Sequence, residues 1–310
     1  MQEIISIEGP VAPDALGFTL MHEHILVMNW AMRQSFPDWL DRPGFVDNAV
    51  RELRLAREAG VRTLVDLTPV NLGRDIHLIQ EVAAGAGMQV IAATGLYWTE
   101  EPSIAGWSVS DLVGVFRPEI TDGIGGTYCR AGIIKCATDR HGFSPYNRKL
   151  LQVAAILQKE TGVPISTHTI AAEKHGLQQQ DIFAAEGVDL SRVIIGHCGD
   201  SDDEEYLEEI LHRGSYIGMD RFGLDFLRPG KERISMVARL CHKGWAHRMV
   251  LSHDAACRMD WRPEDPKKFL PNWNYRYIPE KVVPALLGEG VTREQIHQMT
   301  VLNPVACFTG

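Results

Sequence analysis

Compact apolar runs alternate with amphipathic stretches along almost the whole chain. Residues 17–25, 61–67, 88–95, 131–136, 163–168, 192–197, 215–220 and 248–253 are short, apolar and mostly rich in β-branched side chains, which predicts strands. Residues 2–8 alternate loosely, as a short strand or hairpin at one end of the molecule would. Between the strands the period changes. Val46, Ala49, Val50 and Leu53 fall at i, i+3, i+4 and i+7 with Gly60 as a stop, and Leu150, Val153, Ala154 and Leu157 repeat that spacing before Gly162. Helices are also expected at residues 75–86, at 109–122, where Pro118 weakens the pattern, and at 176–186, 231–243, 279–287 and 292–299. The acidic run Asp200, Asp202, Asp203, Glu204 and Glu205 suits a helix N-terminus. Residues 36–43 and 255–277 read as loops, the second holding Trp261, Phe269, Leu270, Trp273, Tyr275 and Tyr277.

Eight strands alternating with helices, without a linker or repeat, predict one α/β domain over residues 1–310: a single (β/α)8 TIM barrel. The composition fits. The 310 residues are 45% apolar and 23% charged, ample for a core. The net charge of −9, with scattered Lys and Arg, builds no basic face for a phosphate backbone, so nucleic acid is excluded as the expected partner. No run is long and apolar enough to cross a bilayer, the first residues lack a secretory pattern, and the six cysteines form no CxxC pair. Reduced thiols and a cytoplasmic setting are the expectation.

Candidate chemistry gathers at the ends of the predicted strands. His22 and His24 share one strand face, about 6.5–7 Å apart along the strand. His168, His197 and Asp254 follow the fifth, sixth and eighth strands, and Lys135 lies in the fourth, on the same face as Ile133. In a barrel all six converge on the C-terminal mouth. A lysine aimed at the barrel axis is either salt-bridged to Asp66 or Asp254, or loses its proton and takes up carbon dioxide as a carbamate, a carboxylate able to bridge two metals. Four imidazoles, a carboxylate and a carbamate suit two divalent ions such as Zn, Co, Mn or Fe. Such a pair acidifies a bridging water, so the inferred reaction is hydrolysis.

The set His22-Glu23-His24, Lys135, His168, Gly196-His197 and Ser252-His253-Asp254, spread over almost the whole chain, resembles the phosphotriesterase family of the amidohydrolase superfamily. Tyr97, the run from Ile217 to Gly223, and Asp260-Trp261 are similar to its lactonase branch, which acts on N-acyl homoserine lactones. The resemblance implies a binuclear centre with His22, His24 and Asp254 on the more buried metal, His168 and His197 on the more exposed one, and carboxylated Lys135 with a hydroxide between them. It implies attack of that hydroxide on a lactone carbonyl. Tyr97 would bind the developing oxyanion or the leaving oxygen, and Asp254 would shuttle the proton. Arg221 is either a catalytic residue shaping the substrate pocket or half of an ion pair. Phe222, Trp261 and Trp273 are expected substrate contacts, with packing or a dimer contact as the alternative for the aromatic loop. A homodimer, quorum-signal degradation and a weak organophosphate triesterase activity are further expectations. The competing readings are a phosphotriesterase proper and a metal-binding barrel without turnover.

Overall fold

The computed structural model describes residues 3–140, 142–261 and 264–310. Residues 262 and 263 of the loop expected at 255–277, and residue 2 of the N-terminal alternating stretch, lie outside the described residues. A hairpin of β1 (Ile4–Ser6) and β2 (Gly9–Val11) precedes the barrel. It lies against the N-terminal end of the barrel, where Ile7 N–H donates to the Val90 carbonyl at 2.9 Å.

Eight parallel strands follow: β3 (Thr19–Val27), β4 (Thr63–Asp66), β5 (Gln89–Gly95), β6 (Ile133–Ala137), β7 (Ile165–His168), β8 (Val193–Ile195), β9 (Tyr216–Met219) and β10 (Met249–Leu251). Each expected strand is present, its bounds moved by no more than a few residues. A further strand, β11 (Ala256–Met259), lies inside the stretch expected to be loop and pairs in parallel with β3, Ala256 opposite His24. The last barrel strand therefore jogs at residues 252–255. The jog closes the barrel, because Asp254 N–H donates to the His22 carbonyl at 3.0 Å and His24 N–H to the Ala255 carbonyl at 2.8 Å.

The principal crossover helices are α2 (Arg42–Glu58), α3 (Ile76–Ala86), α4 (Val109–Thr121), α5 (Pro145–Thr161), α6 (His175–Ala185), α7 (Glu204–His212) and α8 (Gly230–His242), after a short α1 (Trp30–Ser35). The segment expected as loop at 36–43 is shorter than predicted. Pro43 stands in the first turn of α2, where its missing N–H costs nothing, and Asp41 caps that turn. The buried stripe of α2 is Phe45, Ala49, Leu53 and Ala56, with Val46 and Val50 at its margin. Pro118 does not end α4, and α7 begins with the acidic residues at the dipole's positive end. The expected C-terminal helices include α9 (Val283–Gly288) and α10 (Arg293–His297), and α11 (Asn303–Thr309) follows beyond them.

Two apolar layers result. One fills the space between sheet and helices; the other fills the barrel itself with Met21, Val65, Ile91, Ile133, Ile194 and Val250, closed from below by Ile4 and Phe308. Lys135 continues the inward row above Ile133, so an ammonium group rises from the apolar plug into the mouth. Among the described residues no helix is long and apolar enough to cross a membrane.

Candidate metal centre

His22 and His24 leave β3 on the same face, their ring centroids 5.6 Å apart. His168 ends β7, and His197, Arg221 and Asp254 follow β8, β9 and β10 with φ of 60°, 66° and 55°. A left-handed backbone is uncommon for any residue with a Cβ, though less so for His and Asp than for Arg, and recurs where side chains must be aimed. Three consecutive strand ends pay that cost at one mouth. Gly196 must lack a side chain there, since a Cβ would meet the Thr167 carbonyl at 2.0 Å.

The four imidazoles each have one nitrogen held from outside and one turned inward. Asp220 accepts from Nδ1 of both His22 and His197, at 2.9 Å each. Thr68 Oγ1 holds His24 Nδ1 at 2.9 Å, and Asp139 Oδ2 holds His168 Nε2 at 2.7 Å. The inward nitrogens crowd together. His197 Nε2 lies 2.8 Å from His168 Nδ1, His24 Nε2 lies 3.0 Å from Asp254 Oδ1, and Lys135 Nζ lies 3.0 Å from His22 Nε2. Donor atoms of His22, His24 and Asp254 all fall within 4.8 Å of one another. Carboxylates on the outer nitrogens of His22, His168 and His197 place the proton outward and leave inner lone pairs converging, the arrangement of a metal site, so the residues fit divalent ions.

Electrostatics agree. Burial pushes His22 below its ordinary pKa with help from the Lys135 charge, pushes His168 down to about 4, and pushes His197 well down with help from Arg221. Neutral imidazoles keep their lone pairs. Burial also lowers Lys135 to about 8, against the pull of Asp254 and Asp220, and no carboxylate lies within salt-bridge distance of it among the described residues. For Asp254 burial acts upward, but His22, His197, the His24 hydrogen bond and Arg221 overcome it and hold the carboxyl well below the usual range. Asp220 is held down in the same way by His197 and His22.

A cavity of about 490 Å³ opens above these residues. Tyr97, Arg221, Trp261 and Trp273 line it together with Val27, Leu72, Leu224, Phe226, Leu227, Met259, Phe269 and Leu270. The Tyr97 hydroxyl lies 3.5 Å from His168 Nδ1, and burial raises its pKa so that it remains a neutral phenol. Arg221 is ion-paired: Nε to Asp254 Oδ2 at 3.0 Å and Nη1 to Asp200 Oδ2 at 2.8 Å. Trp273 reaches the pocket, yet its indole N–H is shared between the His253 and Asp254 carbonyls, so it anchors the site as well as lining it. Phe222, expected as a substrate contact, is instead fully buried in the core just after the left-handed Arg221 and does not line the cavity. Asp139, Asp220 and Thr68 were not singled out as site residues from the sequence, although each stands at or just beyond a strand's C-terminal end.

The profile of the phosphotriesterase family matches residues 2–308. The chain is 45% identical to a phosphotriesterase homology protein of Mycobacterium tuberculosis, with 99% of this chain and 98% of that protein covered. It is 38% identical to an aryldialkylphosphatase of Saccharolobus solfataricus, with 95% of each covered. A solved structure of the phosphotriesterase from Mycobacterium tuberculosis is similar at a TM-score of 0.95 and 45% identity, covering 99% of this chain and 98% of that one.

Proposed function

The chain belongs to the phosphotriesterase family of the amidohydrolase superfamily, hydrolases with a binuclear divalent metal centre, and from that premise we propose that it is a lactonase. It opens N-acyl homoserine lactones and related γ- and δ-lactones, with hydrolysis of organophosphate triesters as a side activity. The observation that carries this reading is the join between the ligand ring and an apolar channel. Val27, Leu72, Leu224, Leu227 and Met259 stand beside the converging donors, which matches a small polar ring bearing an alkyl tail.

On this reading zinc, cobalt, manganese or iron is held by His22, His24, His168, His197, Asp254 and carboxylated Lys135, and supplies an acidified water and positive charge at the carbonyl oxygen. The protein's own groups do the rest. Asp254, oriented by Arg221 through Oδ2, takes the proton of the attacking water and passes it to the leaving alkoxide, which becomes the alcohol. Tyr97, a neutral phenol, donates a hydrogen bond to the oxygen that gains charge. Arg221 acts by holding Asp254 rather than by touching substrate, while Trp261 at the rim and Trp273 at the wall exclude water from the acyl chain.

The test is kcat/KM for a short-chain and a long-chain acyl homoserine lactone, a δ-lactone and a diethyl aryl phosphate, on one preparation of known metal content. His22→Asn serves as the dead control. Lactones winning by orders of magnitude, with both activities lost in the control, supports the reading. A dominant phosphate triester activity replaces it with a phosphotriesterase proper. Two bound metals without turnover of any ester replaces it with a binding barrel.

A further inference from the structure

The middle residue of His22-Glu23-His24 points away from the mouth, as strand alternation requires, and is fully buried against the jog in the last barrel strand. Glu23 Oε1 accepts the backbone N–H of His253 at 2.9 Å and the ring Nδ1–H of the same residue at 2.7 Å. Its Oε2 accepts the backbone N–H of Ala255 at 2.8 Å. The two amides so held flank Asp254, whose φ is 55°. A left-handed backbone costs an aspartate less than most residues, and here the bonds to its neighbours hold it there.

The remaining groups of that segment are held from the other side. Trp273 shares its indole N–H between the carbonyls of His253 and Asp254, at 3.2 and 3.1 Å. His253 cannot turn, because its Nε2 accepts the backbone N–H of Ile278 at 3.0 Å, which leaves the proton on Nδ1 for Glu23. Every one of these bonds spans from the first or last part of the chain to residues 253–255.

We propose that Glu23 is the positioning residue for Asp254. It bonds the N–H groups of His253 and Ala255, the residues before and after Asp254, and so holds the segment in the conformation that carries the carboxylate to within 3.0 Å of His24 Nε2 and 3.4 Å of His22 Nε2. Only a carboxylate does this, since it offers two acceptor oxygens to two separate amides. The isosteric amide turns an NH2 toward one of them, donor against donor, and frees one side of Asp254. With that side free the backbone relaxes toward negative φ and the carboxylate leaves the donor ring. The inference rests on the family's metal centre and not on the lactone reading.

The experiment is a titration of metal-free protein with Zn2+ against a chelating dye, alongside the thermal midpoint of the metal-free form. The proteins are wild type, Glu23→Gln, Glu23→Asp, Trp273→Phe and the control Asn303→Ala. Asn303 bonds the Ala246 and Met249 carbonyls at the opposite end of the barrel. Glu23→Gln is expected to retain one zinc site at wild-type affinity and to weaken the other about 10- to 100-fold, as outer-shell losses do. Glu23→Asp, which keeps both oxygens on a shorter arm, restores part of that affinity, and Trp273→Phe shows a smaller loss at the same site. Asn303→Ala lowers the midpoint while binding two zinc ions normally. If Glu23→Gln behaves like Asn303→Ala, Glu23 only closes the barrel and the proposal is overturned. If Glu23→Gln does not fold, Glu23→Asp and Trp273→Phe decide the matter by the same zinc readout, and unchanged affinity in both overturns it.

Discussion

Arg221 spans two carboxylates: its Nε lies 3.0 Å from Asp254 Oδ2 and its Nη1 2.8 Å from Asp200 Oδ2. Asp200 is tied in turn to the fully buried Arg233, Oδ1 to Nη2 at 2.6 Å. A side chain expected to reach the substrate therefore has its charge engaged by the protein. Replacing it with Met keeps the volume and removes the hold on Asp254. Arg221→Met is expected to lower kcat about 10- to 100-fold with KM for a lactone nearly unchanged. A rise in KM at constant kcat in steady-state kinetics would instead make Arg221 a substrate contact.

Lys135 has its Nζ 3.0 Å from His22 Nε2, with no carboxylate paired to it among the described residues. If the amine carries a carbamate when the centre is assembled, Lys135→Ala removes a ligand shared by both ions. The variant is expected to bind less than one zinc per chain, measured by atomic absorption after dialysis. Added acetate or propionate, small enough for the vacated space, should restore part of the metal content and part of the activity. Full zinc content in Lys135→Ala without any carboxylic acid would remove the bridging role.

Phe226 and Phe269 line the outer cavity and are each 70% exposed, so their apolar faces are available to a long acyl tail. Truncating either to Ala forfeits roughly 1 kcal/mol of apolar contact, about fivefold in affinity. KM should rise by that factor for a long-chain acyl lactone and stay constant for a short-chain one. Equal effects on both substrates would place the tail elsewhere.

Asp203 caps α7, accepting the Tyr206 N–H at 2.9 Å and pairing with Lys174 at 2.6 Å. The Lys174 contact and the backbone bonds hold its carboxyl below the usual 3.8. A depressed carboxylate contributes stability that is fully present above pH 3.8 and is lost as pH falls through the lower folded value. Asp203→Ala should cost about 1 kcal/mol locally, seen as about fivefold faster amide exchange at Tyr206 near neutral pH. Asp203→Asn retains a capping oxygen and should lose the pH dependence. Equal exchange in all three proteins would show that packing, not the cap, holds the turn.

Much of the barrel was legible because alternation and helical spacing are local properties. Lys135 could be placed on the inward face from Ile133 two residues earlier, and the structure puts both there. Strand β11 was missed since Cys257 and Arg258 lie in a stretch whose aromatic and proline content reads as loop, and only pairing with Leu26 and its neighbours makes it a strand. Phe222 was expected in the pocket from its place after a barrel strand; the left-handed turn at Arg221, invisible in composition, buries it instead.

Read alone, the chain settles which side chains point into the mouth, because a strand's two faces follow from backbone geometry and need no knowledge of the neighbours. It does not settle which nitrogen of each imidazole faces inward. That depends on partners such as Asp220, 198 positions from His22, while the segment that carries Asp254 is bonded by Glu23, 230 positions away. Those pairings exist only once the first strand meets the last two, and closing the barrel is an act of the whole fold.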